Sequence, residues 1–100
     1  MSRKIRFSRA ARLELDEAIA WYEGKQPGQG SRLDNEVDSV LQIAAERPER
    51  FAKVTMYVRK ARLRKFHCYA IYFTVSSERI DVVAVYHGKR DPDALRNRLK

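Results

Sequence analysis

"CYAIYFTVSSERIDVVAVYHGKRDP", residues 68–92, holds two runs in which large apolar or β-branched side chains recur at every second position. Strict alternation of this kind marks strands whose two faces meet different surroundings. The intervening "SSER" (76–79) has the length and polarity of a hairpin loop. The stretch therefore predicts two antiparallel strands, at 68–75 and 80–86. In the first, Tyr69, Ile71, Phe73 and Val75 stand against Cys68, Ala70, Tyr72 and Thr74, giving a sheet with one strongly apolar face. In the second, Ile80, Val82, Ala84 and Tyr86 share one face, and Asp81, Val83, Val85 and His87 the other. This last strand ends in a histidine, a glycine and two cations, His87 to Arg90, before Asp91 and Pro92. Such an ending on a core strand marks the corner as a candidate site.

Toward the N-terminus a third strand is predicted over residues 56–63, and before "RPERFAK" (47–53) the apolar period changes from 2 to 3.6. Leu33, Val37, Val40, Leu41 and Ala44 make a core stripe on a helix that ends before Pro48. Ser31 with Asp34 three residues on resembles a capping box at its start. "KQPGQG" (25–30) reads as a turn, and before it Ala11, Leu15, Ala18, Ile19 and Tyr22 share one face of a helix. Ser8 caps that helix, and Gly24 is its predicted stop. Leu13, Ala20 and Trp21 fall on its far side. They form either a second strip awaiting cover, or a core-edge Trp21 with a merely exposed Leu13. Residues 4–7 alternate as a short opening strand, and Pro92 begins a short basic helix or tail. The order is β-α-α-β-β-β: an α+β fold with a helical hairpin on a mostly antiparallel four-stranded sheet, one domain over residues 1–100.

Composition narrows the class. An apolar fraction of 44% suits a folded globular chain. A single cysteine, Cys68, permits no intrachain disulfide. No apolar run approaches the roughly 20 residues that span a bilayer, and the "MSRK" start lacks the apolar core of a secretion signal. A cytoplasmic protein, with no membrane partner, is expected. The net charge of +8 is lopsided. Residues 1–50 hold nine basic and nine acidic side chains, whereas residues 51–100 hold twelve and four. Lys53, Arg59, Lys60, Arg62, Arg64 and Lys65 follow one another without an acid among them. A one-sided field of this sort attracts polyanions or acidic protein segments.

Three segments in order, "EAIAWYEGKQPGQGSRL" (17–33), "VRKARLRKFHCYAIYFTV" (58–75) and "IDVVAVYHGKRDPDALRNRL" (80–99), resemble the RelE/ParE superfamily of small toxins from type II toxin–antitoxin systems. The resemblance spans nearly the whole chain and implies the same β-α-α-β-β-β fold. It also implies a cognate antitoxin whose C-terminal segment wraps the toxin; the charge of this chain calls for an acidic one. RelE-type members cut mRNA in the ribosomal A site, whereas ParE-type members poison DNA gyrase without being nucleases.

The residues allow both readings to be set out. RNA cleavage through a 2′-hydroxyl needs a proton acceptor, a proton donor and cations at the phosphate. His87, Arg90 and Arg59 are the candidates for such chemistry. Against it, Tyr69 stands where RelE-type enzymes carry an arginine, no tyrosine follows Tyr86, and no acid lies between Lys53 and Lys65 to serve as base. The "WYE" and "PGQG" pattern followed by "AVYHGKRDP" resembles the ParE-like branch, implying gyrase as the target, with ribosome and mRNA as the alternative and a fold that has lost toxicity as a third reading. Arg59, Arg62, Arg64, Lys65, Lys89, Arg90 and Arg96 are the expected target-binding residues. Leu13 and Trp21 are the expected antitoxin-binding residues. No cofactor is expected. His67, Cys68 and His87 are not expected to make a metal site, because adjacent strand residues point to opposite faces.

Overall fold

The computed structural model describes residues 2–100; Met1, the first residue of the basic start, lies outside them. The elements run β1 (Lys4–Phe7), α1 (Arg9–Lys25), α2 (Gln29–Glu46), a 3-10 turn (Pro48–Arg50), β2 (Val58–Arg62), β3 (Tyr69–Val75), β4 (Arg79–His87) and α3 (Pro92–Arg98). The strands form one sheet in the order β1-β4-β3-β2, antiparallel except where β1 runs parallel to β4. The expected α+β arrangement is present, with α3 as its short C-terminal helix.

The α1–α2 hairpin covers one face of the sheet. Ala11, Leu15 and Ala18 of α1, with Leu33, Val37, Leu41 and Ala44 of α2, bury against Ile71, Phe73, Ile80, Val82 and Val85. The other face is not bare. Leu95 and Leu99 of the C-terminal segment pack with Val58, Ala70, Tyr72, Val83, Ala84 and Tyr86 in a second, smaller cluster. The expected single apolar face is therefore two faces, the second covered only in part.

Several boundaries differ from the sequence expectation, each for a local reason. Helix α1 passes through Gly24 to Lys25, because nothing at Gly24 forces a left-handed residue there. Helix α2 starts at Gln29 rather than at a Ser31 cap. Its N-cap is Gly28 at φ 93°, a conformation that favours glycine, and the exposed amides are satisfied from the preceding helix. Glu23 accepts from the Gly28 N–H at 2.9 Å and the Gly30 N–H at 3.0 Å. Strand β2 begins at Val58, not 56, because the Thr55 hydroxyl accepts from the Tyr57 and Val58 amides and folds 54–58 into a turn. Met56 and Tyr57 project from its tip into solvent.

The alternation in β4 also breaks. Tyr72 pairs with Ala84 but Phe73 pairs with Val82, so Val83 is an extra residue, a β-bulge. Ile80 and Val82 face the helices, whereas Ala84 and Tyr86 face α3 and Val85 turns to the helices. A uniform period-two reading of this strand is thus corrected at Val83.

Two glycines of the hairpin should behave oppositely. A Cβ on Gly30 would sit 2.7 Å from the Ile19 carbonyl oxygen and 3.0 Å from Glu23 Cβ, where α1 and α2 cross closely. Gly24 is helical, exposed and has nothing within 4 Å of that position. Gly30→Ala should lower the urea midpoint, as overpacking costs about 1–3 kcal/mol. Gly24→Ala should raise stability by roughly 0.5–1 kcal/mol.

Candidate functional site

The corner after β4 is built from backbone hydrogen bonds before it is a site. The Gly88 N–H donates to the Cys68 carbonyl at 2.7 Å, and the Arg90 N–H closes a turn on the His87 carbonyl at 3.0 Å. Gly88 does not take a positive φ, and a Cβ there would meet only the Cys68 oxygen at 3.5 Å, so the turn does not need a glycine. Asp91 is the N-cap of α3, accepting from the Asp93 N–H at 2.9 Å, and Pro92 occupies the first helical turn. The Tyr86 hydroxyl donates to the Asp91 carbonyl at 2.7 Å and ties strand to helix.

His87 itself is fixed by its neighbours. Its Nδ1 accepts the Lys89 N–H at 2.9 Å, and its ring meets Tyr69 edge-on at 4.9 Å. With Nδ1 an acceptor, the neutral ring carries its hydrogen on Nε2. Burial pushes the Tyr69 phenol above its ordinary pKa; Tyr22 adds to this and Arg90 pulls the other way. Tyr69 therefore stays a neutral phenol near pH 7.

Beside the corner lies a cleft of about 260 Å³ on the α3 side of the sheet. Lys60 and Arg62 of β2 form one wall, Arg90 and Pro92 another, and His67, Tyr69, Tyr72, Tyr86 and His87 also line it. Lys60 stands 5.7 Å from the centre of the Tyr72 ring, and the Arg90 guanidinium 4.9 Å from that of Tyr86. Such cation–π packing holds each cation in place.

The predicted site residues separate by face. Arg62 and Arg90 meet His87 at the cleft, and Lys89 stands exposed at the tip of the same corner. Arg59 does not meet them. It alternates with Lys60 on β2, and its guanidinium donates to the Phe51 carbonyl at 2.7 Å on the helix side. The trio His87, Arg90 and Arg59 therefore does not converge. Arg64 and Lys65 lie in a separate groove with α2, where their amides donate to Glu36. Arg96 pairs with Asp93 on α3. Leu13 and Trp21 are both more than half exposed on α1. His67, Cys68 and His87 do line one cleft, because residues 67–68 lie in a turn ahead of β3 rather than within it. Among the described residues, no group of three or more His, Cys, Asp or Glu side chains is placed to hold a metal ion.

Three residues matter that the sequence reading passed over. Lys60 is a cleft residue. Glu14 of α1 accepts from the Val85 N–H at 3.0 Å, from Arg98 at 2.6 and 3.1 Å, and from Arg90 at 3.4 Å. Arg98 also donates to the Val83 carbonyl at 2.6 Å. The hydrogen bond from Arg98 to Glu14 raises the arginine's pKa further, against the opposing effect of burial. Glu14→Ala leaves the Val85 N–H and Arg98 without their partner, which should cost about 1–3 kcal/mol in urea unfolding. Exchange of the α3 amides should rise in the same variant.

The comparisons with known proteins agree with this geometry. The family model described as the ParE toxin of type II toxin–antitoxin systems, parDE, matches residues 5–92, from β1 through the corner to the first residue of α3. Toxin ParE2 of Mycobacterium tuberculosis, strain CDC 1551, is 35% identical over 96 residues, covering 95% of this chain and 90% of the relative; the same protein of strain H37Rv matches equally. A solved structure from the chromosomal ParDE system of P. aeruginosa shares the fold at a TM-score of 0.71 and 14% identity, covering 86% of this chain and 96% of that one. The chain belongs to the ParE toxin family and is the toxin component of a type II toxin–antitoxin system, which gives it an antitoxin as partner.

Proposed function

We propose that this toxin acts in the cytoplasm on DNA gyrase, engaging it through the cationic cleft and the corner that carries Lys89 and Arg90. One observation carries the reading. The cations expected to assist RNA cleavage are split between two faces, while Lys60, Arg62 and Arg90 converge where no carboxylate is present to act as base. Such a surface binds a macromolecule by charge and shape. Purified gyrase should lose supercoiling activity when this protein is added, and the Arg62→Ala, Arg90→Ala double variant should inhibit at least about tenfold less well, as loss of two charge-assisted contacts would require. Unimpaired supercoiling at micromolar excess of the unmutated toxin would rule the target out.

The antitoxin segment we propose is acidic and covers both the basic strands and the outer face of α1. Leu13 and Trp21 are exposed there at 58% and 57%, and Trp21 borders a groove of about 410 Å³ shared with Tyr69, His87 and Arg90. Exposed tryptophans beside grooves are frequent binding hot spots, with losses of about 2 kcal/mol or more on truncation. Titration of the purified antitoxin should show Trp21→Ala weakening the complex by at least roughly tenfold. Added salt should weaken both complexes further. Equal affinity for wild type and variant would place the antitoxin elsewhere.

A further inference from the structure

The cleft gathers side chains of one electrical kind. Lys60 and Arg62 enter from β2, Arg90 from the corner, and His67 and His87 complete the lining without a carboxylate. Glu14, which reaches Arg90 at 3.4 Å, belongs to the α1 side and is not part of the cleft. Three positive charges held around a space of about 260 Å³ repel one another unless an anion lies between them.

The form of the lining selects among anions. A carboxylate has two oxygens and is filled by one arginine fork. A phosphate presents oxygens in several directions, and an ammonium and two guanidinium groups arriving from different walls can each reach a different one. The imidazole agrees with this. Because Nδ1 of His87 already accepts the Lys89 N–H, the neutral ring offers a hydrogen from Nε2, which suits an oxyanion and not the removal of a proton. The tyrosines do not add a platform for bases. Tyr72 and Tyr86 are buried and each has a cation against its ring, and Tyr69 is met by the edge of His87. Base stacking needs open ring faces. The space also falls below the roughly 300–1,000 Å³ of pockets that enclose drug-sized ligands.

We infer that the cleft is a phosphate-binding site without a base, which holds a backbone phosphodiester of duplex DNA independently of sequence and does not cut it. The inference uses the same surface as the gyrase reading and rests on it for biological setting, but DNA binding by the isolated toxin can succeed or fail on its own.

The test is binding of a short labelled duplex of arbitrary sequence by the purified full chain across a salt series. The cleft variant Lys60→Ala, Arg62→Ala is compared with Lys4→Ala, Arg6→Ala, which removes equal charge from exposed positions on β1. The cleft variant should bind at least about tenfold more weakly, and its log K against log salt slope should fall by about 2, one for each lost phosphate contact. The β1 variant should change binding by less than about threefold. Inorganic phosphate and thymidine 5′-monophosphate separate the sources. Displacement of the duplex by either, with amide shifts at His87 and Tyr86, extends the site to free phosphate groups. Binding of the duplex alone restricts it to the DNA backbone, and both results uphold the site. Equal weakening by the two variants overturns it, as does polyglutamate binding more tightly than the duplex, which makes the cleft a seat for acidic peptide. Cleavage of the duplex overturns the absence of a base. Thermal melts accompany each variant, and a lowered midpoint moves the comparison to Lys60→Gln, Arg62→Gln. Intact DNA binding without gyrase inhibition would remove the gyrase reading and leave this site standing.

Discussion

Strand β4 loses its neighbour halfway along, and the way that loss is closed sets much of the molecule. β1 pairs with it only as far as Val82, after which the chain turns at Ser8 into α1. Beyond that point the Val83 carbonyl and the Val85 amide have no strand opposite them. Exposed backbone on an interior strand is costly, since each buried unpaired group forfeits a hydrogen bond it had in water. Two side chains stand in for the missing strand. Glu14 takes the amide, Arg98 takes the carbonyl, and the two pair with each other. The Glu14 side chain is only 9% exposed and that of Arg98 32%, so the exchange is largely screened from water and worth more than a surface ion pair.

The position of α3 follows from this closure. Seven residues are too few to stay helical by propensity, so the helix depends on its attachments. Asp91 caps its start, the Tyr86 hydroxyl holds that cap to β4, Leu95 and Leu99 press on the sheet, and Arg98 anchors its end to α1. With α3 in place, Pro92 and Leu95 become part of the cleft lining opposite Lys60 and Arg62. The family match stops at Pro92, so the helix that completes this wall lies almost wholly outside the matched span.

Much of this was legible in the sequence because it is periodic. The core stripes of α1 and α2, the β3–β4 hairpin and the two-layer arrangement all follow from spacing, and the structure carries them. What was missed depends on contacts between distant residues. The Val83 bulge leaves no mark in a β-branched run, since every residue there suits a strand. The cap of α2 comes from Glu23 on another helix, whereas a capping box is sought within the helix's own first turn. Glu14 looked like a solvated charge until Arg98, 84 residues away, was brought beside it. The placement of Arg59, in contrast, was available in advance. Residues two apart on a strand share a face, so Arg62 should have brought Lys60 with it and excluded Arg59.

The net charge of +8 is likewise a poor guide to the site by itself. Several cations of the basic half are already engaged: Arg59 by the Phe51 carbonyl, Arg79 by Asp81, Arg96 by Asp93 and Arg98 by Glu14. They contribute to a long-range field that speeds encounter with anionic partners, but they do not choose where such a partner settles. Lys60, Arg62 and Arg90 differ in converging on one cleft that contains no acid. Arg90 stands at its boundary, against the Tyr86 ring on one side and 3.4 Å from Glu14 on another. The carboxylate that closes the open part of β4 thereby also fixes a cation of the cleft, so the repair of the sheet and the electrostatics of the binding surface depend on the same side chain.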